Sequence, residues 1–138
     1  MDGDGPLAGT WSYRSFLNNP DLALDFNDLR FGAGTLQIDE PSFGLLAGSL
    51  GGPGWSLTIS GGITYGNPFA VRFQGVGEIN AETWVYDYTG YLVPPWPNGV
   101  AQRPAIVGSV IRTVPHSGGQ APAGFVASFI AVRQEDSS

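Results

Sequence analysis

The sequence predicts an all-β fold, an eight-stranded antiparallel up-and-down β-barrel, with a two-sheet β-sandwich as the rival architecture. Three observations lead there. The 138 residues include 21 glycines and 11 prolines, and only 13% are charged, a balance that favours many short strands and turns over helices. Eight stretches alternate apolar and polar residues, and most are bounded by Gly, Pro or Asn. Most connections are short, with no linker and no internal repeat, so residues 1–138 read as one domain.

In chain order, the first strand is Ala8–Leu17, AGTWSYRSFL. Asn19–Asp28 is the one possible helix: Asn19 can cap it and Pro20 suits the first helical position. At ~2 turns it must pack on something to persist. Leu29–Asp39 is the second strand, and Phe43–Leu50 follows Glu40-Pro41-Ser42. Gly51-Gly52-Pro53-Gly54 turns into Trp55–Tyr65, where the pair Gly61-Gly62 predicts a bulge. Ala70–Ile79, Thr83–Val93, Ala105–Val114 and Gly124–Arg133 complete the set.

What is missing narrows the function. There is no lysine, which excludes a Schiff-base enzyme and a P-loop lysine. A net charge of −6 argues against a nucleic-acid partner. No cysteine means no disulfide, no thiolate nucleophile and no Cys-ligated zinc. The lone histidine, His116, speaks against a multi-histidine metal site and leaves a Ser-His-Asp triad only if His116 is its base. No metal and no other cofactor is expected. No apolar run approaches ~20 residues, so no membrane span is expected. The start, MDGDGPLAGTW, is acidic and unlike a signal peptide. A cytoplasmic location is slightly favoured, and a secreted chain with its leader removed also fits.

Gly9-Thr10-Trp11 opens the first strand, and Arg133 stands near the end of the eighth. This pattern resembles the Gly-x-Trp signature of the calycin barrels, lipocalins and avidin-like proteins among them. The resemblance implies that Trp11 plugs the closed end and that Arg133 packs across its ring, a physically sensible cation–π pair. It rests on these residues and on the strand count.

In an up-and-down barrel the ends follow from strand direction. The loops Asn18–Asp28, Gly51–Gly54, Asn80–Glu82 and Pro115–Pro122 then surround the open mouth. The loop Pro94–Pro104 falls at the closed end, where Trp96 and its prolines are expected to seal the barrel. Faces follow from the two-residue period. Trp11, Tyr13 and Ser15 are expected inside, with Val71 and Phe73, with Trp84, Tyr86 and Tyr88, and with Phe125, Ala127, Phe129, Ala131 and Arg133. Arg72, Gln74 and Glu78 are expected outside. Residues 105–114 and 124–133 are apolar on both faces, with Val126, Ile130 and Val132 outward. Such an outer patch predicts a homo-oligomer built through these two strands.

The stretch Glu82–Gly99 concentrates five rings: Trp84, Tyr86, Tyr88, Tyr91 and Trp96. Inward-facing Trp and Tyr make a mostly apolar pocket with hydroxyl and indole handles, suited to a small hydrophobic or aromatic ligand. The expected ligand-binding residues are Tyr13, Phe73, Trp84, Tyr86, Tyr88, Arg112, Phe125 and Phe129. A filled core would more simply use Leu and Ile, because buried hydroxyls need partners. Arg112 and His116 are the candidate catalytic residues. Arg112 reaches the mouth and can receive a carboxylate or enolate oxygen, and His116 can exchange a proton near neutral pH. Asp25, Asp28, Glu78 and Glu82 are expected near the same rim. Asp87 either faces solvent or pairs with Arg72 or Arg103. Asn18–Asp28 is expected to act as a partial lid.

Three functions fit these residues. The first is binding of a small, mainly hydrophobic or aromatic molecule in the barrel. The second is a cofactor-independent isomerase or cyclase using the same cavity, marked by Arg112, His116 or a tyrosine hydroxyl converging on one point. The third is a structural or oligomerisation module.

Overall fold

The structure is a computed structural model that describes residues 7–18, 20–66, 68–79, 81–93, 103–116, 118 and 123–134. Eight antiparallel strands close into a barrel in chain order. They are β1 (Gly9–Leu17), β2 (Arg30–Asp39), β3 (Leu45–Gly52), β4 (Trp55–Thr64), β5 (Ala70–Ile79), β6 (Glu82–Val93), β7 (Ala105–Arg112) and β8 (Val126–Arg133). Each strand pairs with its sequence neighbour, and β1 also pairs with β8 from Trp11↔Arg133 to Leu17↔Ala127. That last pairing makes the sheet a cylinder and excludes the sandwich.

Alternation sets the faces. Trp11, Tyr13 and Ser15 are buried inside, as are Val71, Phe73, Tyr86, Tyr88, Ala127, Phe129 and Ala131. Arg72, Gln74 and Glu78 lie on the outer face and are exposed. Full burial of each large apolar side chain contributes about 1.5–3 kcal/mol, so a one-residue slip in register would forfeit most of this core.

One end is packed shut. Leu7 and Trp11 are fully buried, and the Trp11 indole N–H donates to the Leu7 carbonyl at 3.0 Å. The Leu7 and Ala8 amides donate to the Glu40 carboxylate at 2.8 and 3.1 Å, which ties the segment before β1 to the β2–β3 turn. Gly9 has φ of 141°, and a Cβ there would lie 3.0 Å from Arg133 Nε. The small residue two before the tryptophan therefore makes room for the arginine that β8 lays across the end of β1.

Several sequence expectations are corrected. The helix over Asn19–Asp28 does not form; the ordered piece is a 3-10 turn, Phe26–Leu29. Asp21 accepts the Ala23 amide on its side chain and the Leu24 amide on its carbonyl, so the chain turns locally instead of continuing as a helix. Asn19 itself lies outside the described residues. No register shift falls at Gly61-Gly62. Gly61 instead lets β4 lie close to β5, since a Cβ there would run into the Arg72 carbonyl and Phe73 Cα. The irregularity is between Ser15 and Phe16, opposite Gly32 and Arg30, which leaves Phe31 as the extra residue of β2.

The third strand begins at Leu45, two residues later than expected, and runs through Gly52. Phe43 is left outside it, 88% exposed and stacked on Tyr65 at 4.8 Å. Trp96 and most of Pro94–Pro104 lie outside the described residues. On the outer face of β7 and β8, Val107 stands opposite Ile130 and Ile111 opposite Val126, and the row between them is the polar pair Ser109 and Ser128.

Trp11→Ala removes the ring that fills the closed end. Urea unfolding should show a loss of about 3–5 kcal/mol. A loss below about 1 kcal/mol, the scale of an ordinary surface change, would contradict this packing.

Candidate functional site

The other end of the barrel is hollow. A cavity of about 500 Å³ opens there, within the range of small-molecule sites. Its position follows from residue size. Ser15 and Gly32, paired on β1 and β2, both face it and fill little of the interior. Leu50, Leu57, Ile79 and Val110 supply aliphatic wall, and Phe31, Trp55 and Trp84 supply rings.

Four rings from β1, β5, β6 and β8 pack together at the inner end. Phe73 stacks on Tyr88 at 4.7 Å, and Tyr13 stacks on Phe129 at 5.7 Å. Tyr13 and Tyr88 border the cavity, whereas Phe73 and Phe129 lie behind them as packing. Ser15 and Tyr88 act on the Tyr13 hydroxyl in the sense that lowers its pKa, and burial outweighs them. Burial pushes the Tyr13 phenol up to about 12 and drives Tyr88 well above its ordinary value, so both hydroxyls stay protonated.

Arg112, the last residue of β7, points inward and is only 6% exposed. Its guanidinium carbon sits 5.1 Å from the Phe125 ring centroid and 5.6 Å from those of Phe31 and Tyr86. Backbone bonds hold this arrangement: Arg112 N–H donates to the Phe125 carbonyl at 2.9 Å, and Gly124 N–H donates to the Arg112 carbonyl at 2.7 Å. The three rings offset part of the cost of burying the cation. Arg112 Nε also donates to the Tyr86 hydroxyl at 3.0 Å, across a directly paired position of β6 and β7.

His116 completes the group. The Thr113 amide and hydroxyl both bond to the Val85 carbonyl at 3.0 Å, which carries the chain past β7 alongside β6. His116 then turns in. It is 5% exposed, lies flat on Trp84 with centroids 3.7 Å apart and planes 7° apart, and places Nε2 2.8 Å from the Tyr86 oxygen. Burial holds its pKa below the usual histidine value, with the Arg112 charge acting the same way and Glu82 opposing it. Glu82 also accepts the Gly118 amide at 3.3 Å.

Of the expected site residues, Tyr13, Trp84, Tyr86, Tyr88, Arg112 and His116 border the cavity. Phe125 covers Arg112 from the side of β8. Asp87 is on the outer face and accepts from Gln74 at 2.9 Å. None of residues 18, 20–25, 28 and 29 borders the cavity. Phe31 and Trp55 were not singled out from sequence. Trp55 carried a readable signal, since Trp55, Leu57 and Ile59 share the inward face of β4. Phe31 did not, because the bulge gives it its position.

Among the described residues, no cluster of three or more His, Cys, Asp or Glu forms, and no helix is long and apolar enough to cross a membrane. Comparison with protein-family models, curated proteins and solved structures gave no match.

The histidine makes stability depend on pH. Folding lowers its pKa, so above the ordinary value of about 6.5 both states hold it neutral, and below that value the unfolded chain takes up the proton first. The stability difference between wild type and His116→Gln should therefore be flat above about pH 6.5 and shift against the wild type as pH falls toward the folded-state pKa. Urea unfolding at a series of pH values reads this. A difference that moves the other way would mean the folded site prefers imidazolium.

Proposed function

We propose that the barrel binds a small, mainly apolar or aromatic molecule at its open end. The observation that carries this reading is the cavity of about 500 Å³, walled by Phe31, Trp55, Trp84 and Tyr86 over a packed aromatic layer. Apolar surface entering such a site leaves water at about 25 cal/mol per Å² before the costs of binding are subtracted. The polar atoms of Arg112, Tyr86 and His116 stand together at one side, which suits a ligand with one polar end. Gly9-Thr10-Trp11, with Arg133 laid across Gly9, supports placing the chain with the calycin-like barrels. A second reading, catalysis in the same cavity, is favoured by the convergence of Arg112 and His116 on the Tyr86 oxygen.

Fluorescence titration with the neutral probe N-phenyl-1-naphthylamine tests the binding reading. Saturable binding should be seen. Val110→Trp, which fills the cavity, should weaken it at least about tenfold, equivalent to 1.4 kcal/mol. A melting curve confirms that the variant is folded. Absence of saturable binding, or binding indifferent to the filled cavity, would rule this reading out.

A further inference from the structure

Three polar side chains meet at one oxygen in the cavity wall. Arginine only donates, so the 3.0 Å contact from Arg112 Nε occupies a lone pair of the Tyr86 oxygen. The phenolic proton is left to point elsewhere, and His116 Nε2 stands 2.8 Å away to accept it. With Nε2 as the acceptor, His116 is the neutral tautomer with its proton on Nδ1. Trp84, stacked flat at 3.7 Å, fixes the plane of the imidazole. All four side chains border the cavity. A pocket that only held an apolar body would gain nothing from burying a guanidinium, a phenol and an imidazole together, and would carry their desolvation cost. Grouped titratable side chains in a cleft are characteristic of chemistry.

We propose that Tyr86 and His116 form a proton-transfer couple, poised by the charge of Arg112, that interconverts the keto and enol forms of a small apolar carbonyl compound bound in the cavity. This rests on the binding reading above and assigns its ligand class: an aryl or alkyl carbonyl compound with a hydrogen on the adjacent carbon. The carbonyl oxygen accepts the Tyr86 O–H, which frees Nε2 to face the neighbouring carbon. The C–H bond breaks and its proton goes to Nε2. Its electron pair becomes the new C=C bond, and the carbonyl π pair moves onto oxygen, which takes the phenolic proton. The Tyr86 phenolate is held by the Arg112 N–H. The proton on Nε2 then returns to the Tyr86 oxygen beside it. Both side chains are restored, the net change is ketone to enol, and no oxidant, reductant or cofactor is consumed. The reverse path converts enol to ketone. Tyr86 and His116 are the catalytic residues, and Arg112 is a positioning residue that also stabilises charge.

Conversion of the phenylpyruvate enol to its ketone, followed by the enol's ultraviolet absorbance, tests this. The wild type should exceed buffer catalysis at least about a hundredfold, and Tyr86→Phe and His116→Gln should each lower kcat by a similar factor with KM moving far less. His116→Gly should regain rate when imidazole is added, beyond the effect of imidazole without protein. That arm keeps the test open if another variant fails to fold. The naphthylamine titration of the wild type runs beside these assays. Probe binding with a rate equal to buffer, or variants with wild-type kcat, overturns the catalytic proposal and leaves the binding reading standing. Failure to bind the probe removes the binding reading itself.

Discussion

The pairing of β1 with β8 is the constraint on which the rest of the molecule depends. An open eight-stranded sheet would leave two edges of unpaired amides and carbonyls, a liability that closure removes. Closure also fixes what faces what. It sets Trp11 beside Arg133 at one end and Ser15 beside Phe129 toward the other. It forces the alternating residues of every strand into one shared interior, so a hollow in that interior has walls all round.

Side-chain size then divides the cylinder. Leu7, Trp11, Leu36 and Ile106 fill the closed end without residual exposure. Tyr13, Phe73, Tyr88 and Phe129 pack across the middle. Beyond them Ser15 and Gly32 leave space, and the cavity begins. The polar chemistry is gathered on the β6–β7 side of that space. A buried guanidinium is poor evidence for stability, because its desolvation offsets what its contacts return. Held among Phe31, Tyr86 and Phe125, it is better understood as a fixed positive charge beside a phenol and an imidazole. Part of its effect is visible in His116, whose proton affinity it lowers.

The period of two made much of this legible in the sequence. Trp11, Tyr13, Phe73, Tyr86, Tyr88 and Phe129 could be placed inside because their strands alternate without interruption. Strand direction put Arg112 and His116 at the same end. Their convergence on Tyr86 could not be read, because Tyr86 and Arg112 lie 26 residues apart and meet only through the β6–β7 register. Phe31 was illegible for a related reason: its alternation sets it apart from Leu36 and Ile38, and only the bulge opposite Ser15 and Phe16 turns it toward Arg112. The expected helix failed because helix-start signals at Asn19 and Pro20 are also turn signals. Asp21 satisfied the backbone locally, through its side chain and its carbonyl.

The chain has no cysteine, so a pair introduced across the closing seam can be read without interference. Arg14 and Ile130 face each other on the outer surface of β1 and β8. Directly paired residues of this kind fall within the Cα separation that a disulfide spans, roughly 4.4–6.8 Å. Oxidation of the double variant Arg14→Cys/Ile130→Cys should give a quantitative intramolecular crosslink, seen by mass spectrometry as the loss of two hydrogens per folded monomer. Two thiols that stay free in the folded protein under oxidising conditions would mean that β1 and β8 do not meet and the cylinder does not exist.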